Sequence, residues 1–249
     1  MTLRNSFRRM AAALAYAGAA VILLFAGPAA TAQSLAVLPV NILFSPGQKA
    51  SSLIVTNKGT TETSIQIRAY AWSQQSGDDQ LTDSDAVVLS PPLATIAPGA
   101  SQVVRLILRQ LPQGREATYR ILIDQIPPPA EPGMVHMVLR MSIPIFAEPP
   151  TRAVPHVQLH LEVDSGKLVL VAMNDGLSHE VIRDVVLTTS DGRKLKGESD
   201  ALPYILAGAT RRWTIGAEDP LPLQGETLQL TAHTDAGALQ QQVGFVTAP

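Results

Sequence analysis

The chain has 249 residues, 46% of them hydrophobic and 16% charged, with 19 basic and 21 acidic side chains for a formal charge of −2 and no cysteine. That balance offers no basic face for nucleic acid, and without thiols there are no disulfides, no thiolate metal sites and no cysteine nucleophile. The length leaves room for two cores of about 100 residues each.

The first 32 residues read as a cleaved export signal. Arg4, Arg8 and Arg9 precede the apolar run MAAALAYAGAAVILLFAG, and the small residues Ala30 and Ala32 predict cleavage before Gln33 and hence export. An uncleaved membrane anchor is the competing reading, because the run approaches the length of a spanning helix. Cleavage would remove three basic residues and no acidic one, taking the formal charge to about −5.

From Leu35 onwards the pattern is of short strands between turn signals, with no helical periodicity. SLIVTN, TSIQIRAYAW, SQVVRLILR and TYRILIDQI are β-rich, and turns fall at SPGQK, NKGTT, SGDDQ, APGAS and PQGRE. The proline-rich AEPPTRAVP (147–155) marks a stiff linker. Beyond it HVQLHLEV, KLVLVAMN, VIRDVVLTT, TRRWTIG, ETLQLTAHT and QQQVGFV repeat the style, with NDG (174–176) and SDG (190–192) as hairpin turns. The pattern predicts an all-β chain of two sandwiches, residues 33–150 and 151–249.

Residues 134–146, MVHMVLRMSIPIF, alternate strictly. Val135, Met137, Leu139, Met141, Ile143 and Ile145 form one apolar face. Pro144 cannot donate to a ladder, which places this strand at a sheet edge or a bulge. Two readings stay open on pattern alone: the face covers the protein's own core, or it is offered to a partner sheet by strand addition. Full burial of Val135, Met137, Leu139 and Met141 in a partner would contribute roughly 6–12 kcal/mol in transfer terms, before the cost of association.

Residue types that carry chemistry are present without the right spacing. His156 and His160 fall in an alternating strand with Val157, Leu159, Leu161 and Val163 inward, so they would lie roughly 13 Å apart, too far to share an ion. GDDQLTDSD (77–85) lacks the grammar of a calcium loop and reads as a solvated hairpin turn. There is no phosphate-cradling glycine loop and no G-x-S-x-G elbow. The sequence therefore predicts no metal, no cofactor, no small-molecule substrate and no enzyme. Trp72 and Trp213 sit in strand patterns that suit core packing, against an exposed sugar-binding platform.

The first half resembles the N-terminal domain of periplasmic chaperones of the chaperone–usher pathway, closest to the archaic, Csu-type branch. The resemblance rests on LPV (38–40), FSPGQKASSLIVTNKG (44–59), IQIRAYAW (65–72), SPPLATIAPGASQVVRL (90–106), YRILIDQIP (119–127) and MSIPIF (141–146). It implies two immunoglobulin-like sandwiches in an L-shaped arrangement, with pilus subunits and an outer-membrane usher as partners. Residues 134–143 would donate a strand to a subunit that lacks one, using Val135, Met137, Leu139, Met141 and Ile143, and free chaperones would protect that strand by self-pairing. The basic pair that anchors a subunit's C-terminal carboxylate in the better-known branch falls on Asn41 and Pro144, neither of which carries charge. The resemblance to the archaic branch puts Arg120 in that role, with Arg140 as the weaker candidate; pairing of Arg120 with a local acid such as Asp124 is the alternative. A structural pilin or adhesin module is the alternative for the whole chain.

Overall fold

The computed structural model describes residues 35–127, 129, 133, 137–199, 201–216 and 225–245; the predicted export signal and Val135 lie outside them. The described residues form strands and turns with no helix, in two immunoglobulin-like β-sandwich domains. No helix among them is long and apolar enough to cross a membrane.

The first domain comprises β1 (Leu35–Leu38), β2 (Ile42–Phe44), β3 (Ala50–Asn57), β4 (Thr63–Gln75), β5 (Asp78–Asp83), β6 (Val87–Ser90), β7 (Leu93–Ile96), β8 (Ser101–Leu108), β9 (Ala117–Ile126) and β10 (Arg140–Ala147). One sheet has the order β1-β3-β8-β6; the other runs β2-β10-β9-β4-β5, with β7 also paired to β4. Alternation drives their stacking. Leu53, Val55, Val104 and Leu106 point inward from the first sheet and meet Ile65, Ile67, Ile121, Ile123, Ile143 and Ile145 from the second. Expected as a solvated turn, residues 78–83 instead form strand β5, an exposed edge whose aspartates discourage further pairing.

The second domain contains β11 (Val157–Asp164), β12 (Lys167–Asn174), β13 (Glu180–Val181), β14 (Arg183–Thr188), β15 (Lys194–Glu198), β16 (Tyr204–Ile205), β17 (Thr210–Ile215), β18 (Thr227–Thr234) and β19 (Gly237–Gly244). Its main sheet runs β11-β12-β17-β15-β14-β18-β19, and a Leu161–Phe245 bridge brings the two ends together. Leu161, Leu170, Leu187, Trp213, Leu228 and Leu230 fill its core. Val163, expected inward, is exposed because β11 runs past the end of that core. VIRDVVLTT is broken at Asp184, whose φ of 54° accompanies a bulge between Arg183 and Val186.

The two aspartate–glycine turns part company. At 190–192 the chain makes the expected hairpin between β14 and β15, with Gly192 at φ 87°. At 174–176 it makes no hairpin, for β12 pairs with β17 and β13 with β16. The 174–179 loop instead grips the interdomain linker: Leu177 N–H donates to Val154 O (2.9 Å) and the Asn174 side chain accepts from His156 N–H (3.1 Å). It also reaches the first domain, where Glu116 N–H donates to Leu177 O (2.8 Å) and the Glu116 carboxylate meets the His179 ring at 2.9 Å. Gly176 is required by this close approach. A Cβ there would meet His156 N and lie 2.7 Å from both Pro155 C and Val154 O, all backbone. Gly176→Ala is expected to cost about 1–3 kcal/mol through overpacking, read as a lower urea midpoint with faster amide exchange at Leu177.

Candidate functional site

The last strand of the first domain carries the candidate site. Antiparallel β10 pairs with β9 along its whole length, from Arg140 opposite Asp124 to Ala147 opposite Ala117, while on its other side, among the described residues, parallel β2 pairs with Ile145, Phe146 and Ala147 alone. The parity of the ladder is fixed at both ends. Leu139 O accepts from Gln125 N–H (2.9 Å) on the β9 side, and Glu148 N–H donates to Phe44 O (2.9 Å) on the β2 side. Odd-numbered backbone groups therefore face β9 and even-numbered ones face the other edge. Arg140, Ser142 and Pro144 present their backbone to that edge ahead of β2. Pro144 lacks an N–H at a position where β9 asks for none, which is why a proline is tolerated inside this strand.

The apolar face predicted for 134–146 divides in two. Ile143 (6% exposed) and Ile145 lie in the protein's own core, and Met141 packs against that core half-buried, so the Ile143 side chain offers no surface to a partner. Met137 (93% exposed) is open and Leu139 (41%) partly covered at the end of the sandwich, and Val138 is exposed as well. Regular strand begins at Arg140, later than the alternation suggests.

The opposite, even-numbered face of the same sheet meets the second domain. Phe146 and Trp72 are buried there with Leu206 and Ala209 against Tyr204, and the Phe146 ring stacks on His179 at 3.6 Å between centroids. Trp72 thus packs in a core, as expected, but in one shared between the domains.

Arg120 lies on this face, opposite Pro144 on β10 and Tyr70 on β4. It is 3% exposed. Its guanidinium carbon is 3.8 Å from the centre of the Trp72 ring, Nη1 donates to Ser142 Oγ (3.2 Å), and Nη2 is 3.5 Å from Asp79 Oδ2. Burial lowers its pKa, and the Asp79 charge opposes that shift. The acid beside Arg120 is therefore Asp79 and not Asp124, correcting the alternative pairing. Nε and Nη2 are buried and have no hydrogen-bond partner among the described residues. The second domain contributes Arg211, 1% exposed, which donates to Gly77 O, Tyr204 O and Asp79 Oδ1 (3.3 Å).

Arg140 is committed elsewhere. Its Nε donates to Asp124, which also accepts from Arg68 Nη2 at 2.6 Å. Burial would raise the Asp124 pKa, but the hydrogen bonds from Arg140 and Arg68 prevail and hold it below the usual carboxylate value. A depressed folded-state pKa stabilises above the unfolded value, about 3.9, and that contribution fades as pH falls through the folded one. The stability gap between wild type and Asp124→Asn should therefore be constant from neutral pH to about 5 and close below about 4, measured by urea unfolding across pH.

Asn41 is exposed in the bend before β2. His156 is bonded to Asp175 and His160 to Glu162 (2.9 Å), and no metal-holding cluster occurs among the described residues.

Residues 34–153 match the family described as pili and flagellar-assembly chaperone, PapD N-terminal domain. The chain is 29% identical over 134 residues to the chaperone protein FimB/FhaD of Bordetella pertussis, covering 51% of this chain and 52% of that protein. It is 27% identical over 112 residues to the chaperone protein PapD of Escherichia coli, covering 43% and 45%. The chain thus matches about half the length of these curated relatives. Among solved structures, the CsuC–CsuE chaperone–tip subunit complex of Acinetobacter baumannii superposes with a TM-score of 0.64 at 19% identity, over 86% of this chain and 100% of that one. The SafA pilin–SafB chaperone complex of Salmonella enterica gives 0.58 at 16%, over 88% and 99%.

Proposed function

We propose, from the match of residues 34–153 to the pili and flagellar-assembly chaperone family, PapD N-terminal domain, that this protein is a non-enzymatic periplasmic chaperone. It binds, folds and caps pilus subunits by lending them a strand, and delivers them to an outer-membrane usher. The observation that carries the reading is the uncovered edge at Arg140, Ser142 and Pro144, continued by the exposed side chains of Met137 and Leu139. Backbone groups at that edge supply hydrogen bonds, and the two apolar side chains enter the partner's groove. Met137 suits clients of slightly different shape, because an unbranched thioether repacks easily.

In this proposal Arg120 receives the subunit's terminal carboxylate. Nε and Nη2, which make no hydrogen bond among the described residues, form one fork of the guanidinium, the geometry that grips a carboxylate bidentately; both atoms are buried and Nη2 faces Asp79, so the incoming carboxylate must displace their cover to reach them. A strand whose C-terminus reaches Arg120 runs towards the domain junction, hence parallel to β10, and stops where β2 begins. No nucleotide is needed, since burial of the client's exposed core drives its folding. The matched domain and the preformed donor edge disfavour the alternative of a structural pilin or adhesin module.

The test is a pull-down of tagged protein from the periplasm of its native host. A small β-rich subunit should co-purify with wild type and be absent with Met137→Glu/Leu139→Glu, provided circular dichroism shows that variant folded. Capture that ignores the two charges would overturn strand donation.

A further inference from the structure

Two buried guanidiniums share one carboxylate at the domain junction. Arg120 of β9 and Arg211 of β17 are 3% and 1% exposed, and Asp79 of β5 is the acid bridging them. Among the described residues neither guanidinium forms an ion pair with any other acid, so the cluster has one more cation than anion. The three contacts of Asp79 are unequal. Its Oδ1 accepts from Gln74 Nε2 at 2.9 Å and from Arg211 Nη2 at 3.3 Å, whereas Arg120 Nη2 stands 3.5 Å from Oδ2 and makes no hydrogen bond. Asp79 is thus held by Gln74 and by the second domain, and it acts on Arg120 by charge alone.

We propose that Asp79 sets how strongly this protein holds a terminal carboxylate, and that Arg211 sets how much of Asp79 is felt at Arg120. This rests on the reading of Arg120 as the carboxylate anchor. Without a counter-charge, two guanidiniums with so little exposure would be costly to keep ionised. With Asp79 fully engaged by Arg120, no charge would remain for a partner. The observed division avoids both extremes. Asp79 supports the charge on Arg120, while its hydrogen bonds to Gln74 and Arg211 leave the Arg120 Nε–Nη2 edge without one, the guanidinium carbon lying 3.8 Å from the centre of the Trp72 ring. Because Arg211 belongs to the second domain, the affinity of a site on the first depends on the junction being closed.

The charges predict opposite signs for two substitutions. Asp79→Asn keeps the shape and an acceptor for Gln74 but removes a negative charge beside the incoming carboxylate, so it strengthens carboxylate binding. Arg211→Gln removes the competing cation and leaves Asp79 to Arg120, so it weakens it. The probe is a short acetylated peptide of alternating valine and threonine, made with a free C-terminal carboxylate and as the C-terminal amide. Affinity for each form is measured by fluorescence anisotropy on the full protein purified from periplasm. Wild type is expected to prefer the acid, Asp79→Asn to raise that preference about tenfold, Arg211→Gln to abolish most of it, and Asp79→Glu to leave it near wild type. Using the acid-to-amide ratio cancels losses common to both forms, such as partial unfolding. An unchanged ratio in both variants, with wild type still preferring the acid, would overturn the inference while sparing the anchor. Equal binding of acid and amide by wild type would remove the anchor itself and this inference with it.

Discussion

A protein carrying Met137→Glu and Leu139→Glu is expected to unfold close to the wild-type temperature and to lose its subunit. The two halves of that expectation have one cause. Met137 is 93% exposed and its substitution stays within about 0.5 kcal/mol, whereas Leu139, 41% exposed, is partly covered and its substitution adds a cost of about 1 kcal/mol to the fold, small beside the loss in a partner. In a subunit groove the same side chains would be desolvated, each worth roughly 1.5–3 kcal/mol. Losing both costs about 3–6 kcal/mol, or between two and four orders of magnitude in affinity, before the penalty for burying two carboxylates. Ile143→Glu should behave in the opposite way. Ile143 lies in the first domain's own core, so its substitution damages the fold. Parallel thermal unfolding and subunit titration of the two proteins separate a donated face from a structural one. A double-Glu variant that melts far below wild type would show that Met137 and Leu139 belong to the fold.

How much of this could be read from the chain depends on whether a residue's environment is local. Alternation in SLIVTN, YRILIDQI and MSIPIF states which side chains enter a sheet, and the strands of the first domain follow from it. The same alternation continues through Met137 and Leu139 without a break, although the core it describes ends near Met141. Period alone carries no information about where the facing sheet stops. Pro144 was more informative, because a missing donor can be accommodated only on an unpaired edge. The junction was legible in one respect: Arg211, Trp213 and Ile215 share a phase on β17, and an arginine in the apolar phase marks a buried charge in need of partners. What the sequence does not disclose is the partner's identity. Asp79 lies 132 residues from Arg211 and sat within an acidic run that reads as solvent-facing. Likewise NDG looks like a turn, and only the approach of Val154 and Pro155 shows that Gly176 is there for lack of a side chain.

Trp72→Ala is expected to be the most damaging single substitution at the junction. Trp72 is 3% exposed, with Phe146 5.9 Å away, Tyr204 set edge-on at 5.5 Å and the Arg120 guanidinium at 3.8 Å. Truncating a buried tryptophan costs about 3–5 kcal/mol in lost burial and cavity, and a desolvated cation over an indole adds up to about 2 kcal/mol. The indole nitrogen decides what a milder change should do. Nε1 is buried with no hydrogen-bond partner, so Trp72→Phe gives up no hydrogen bond and relieves an unsatisfied donor, which itself costs about 1–3 kcal/mol. That relief offsets much of the lost ring volume. Trp72→Phe should therefore retain most of the stability while weakening the surface on which Arg120 lies, and its acid-to-amide preference should fall further than its unfolding midpoint. Trp72→Ala should lose both together. If Trp72→Phe proves as unstable as Trp72→Ala, the indole N–H has a partner in solution, and the ring would then fix the junction by hydrogen bonding as well as by packing.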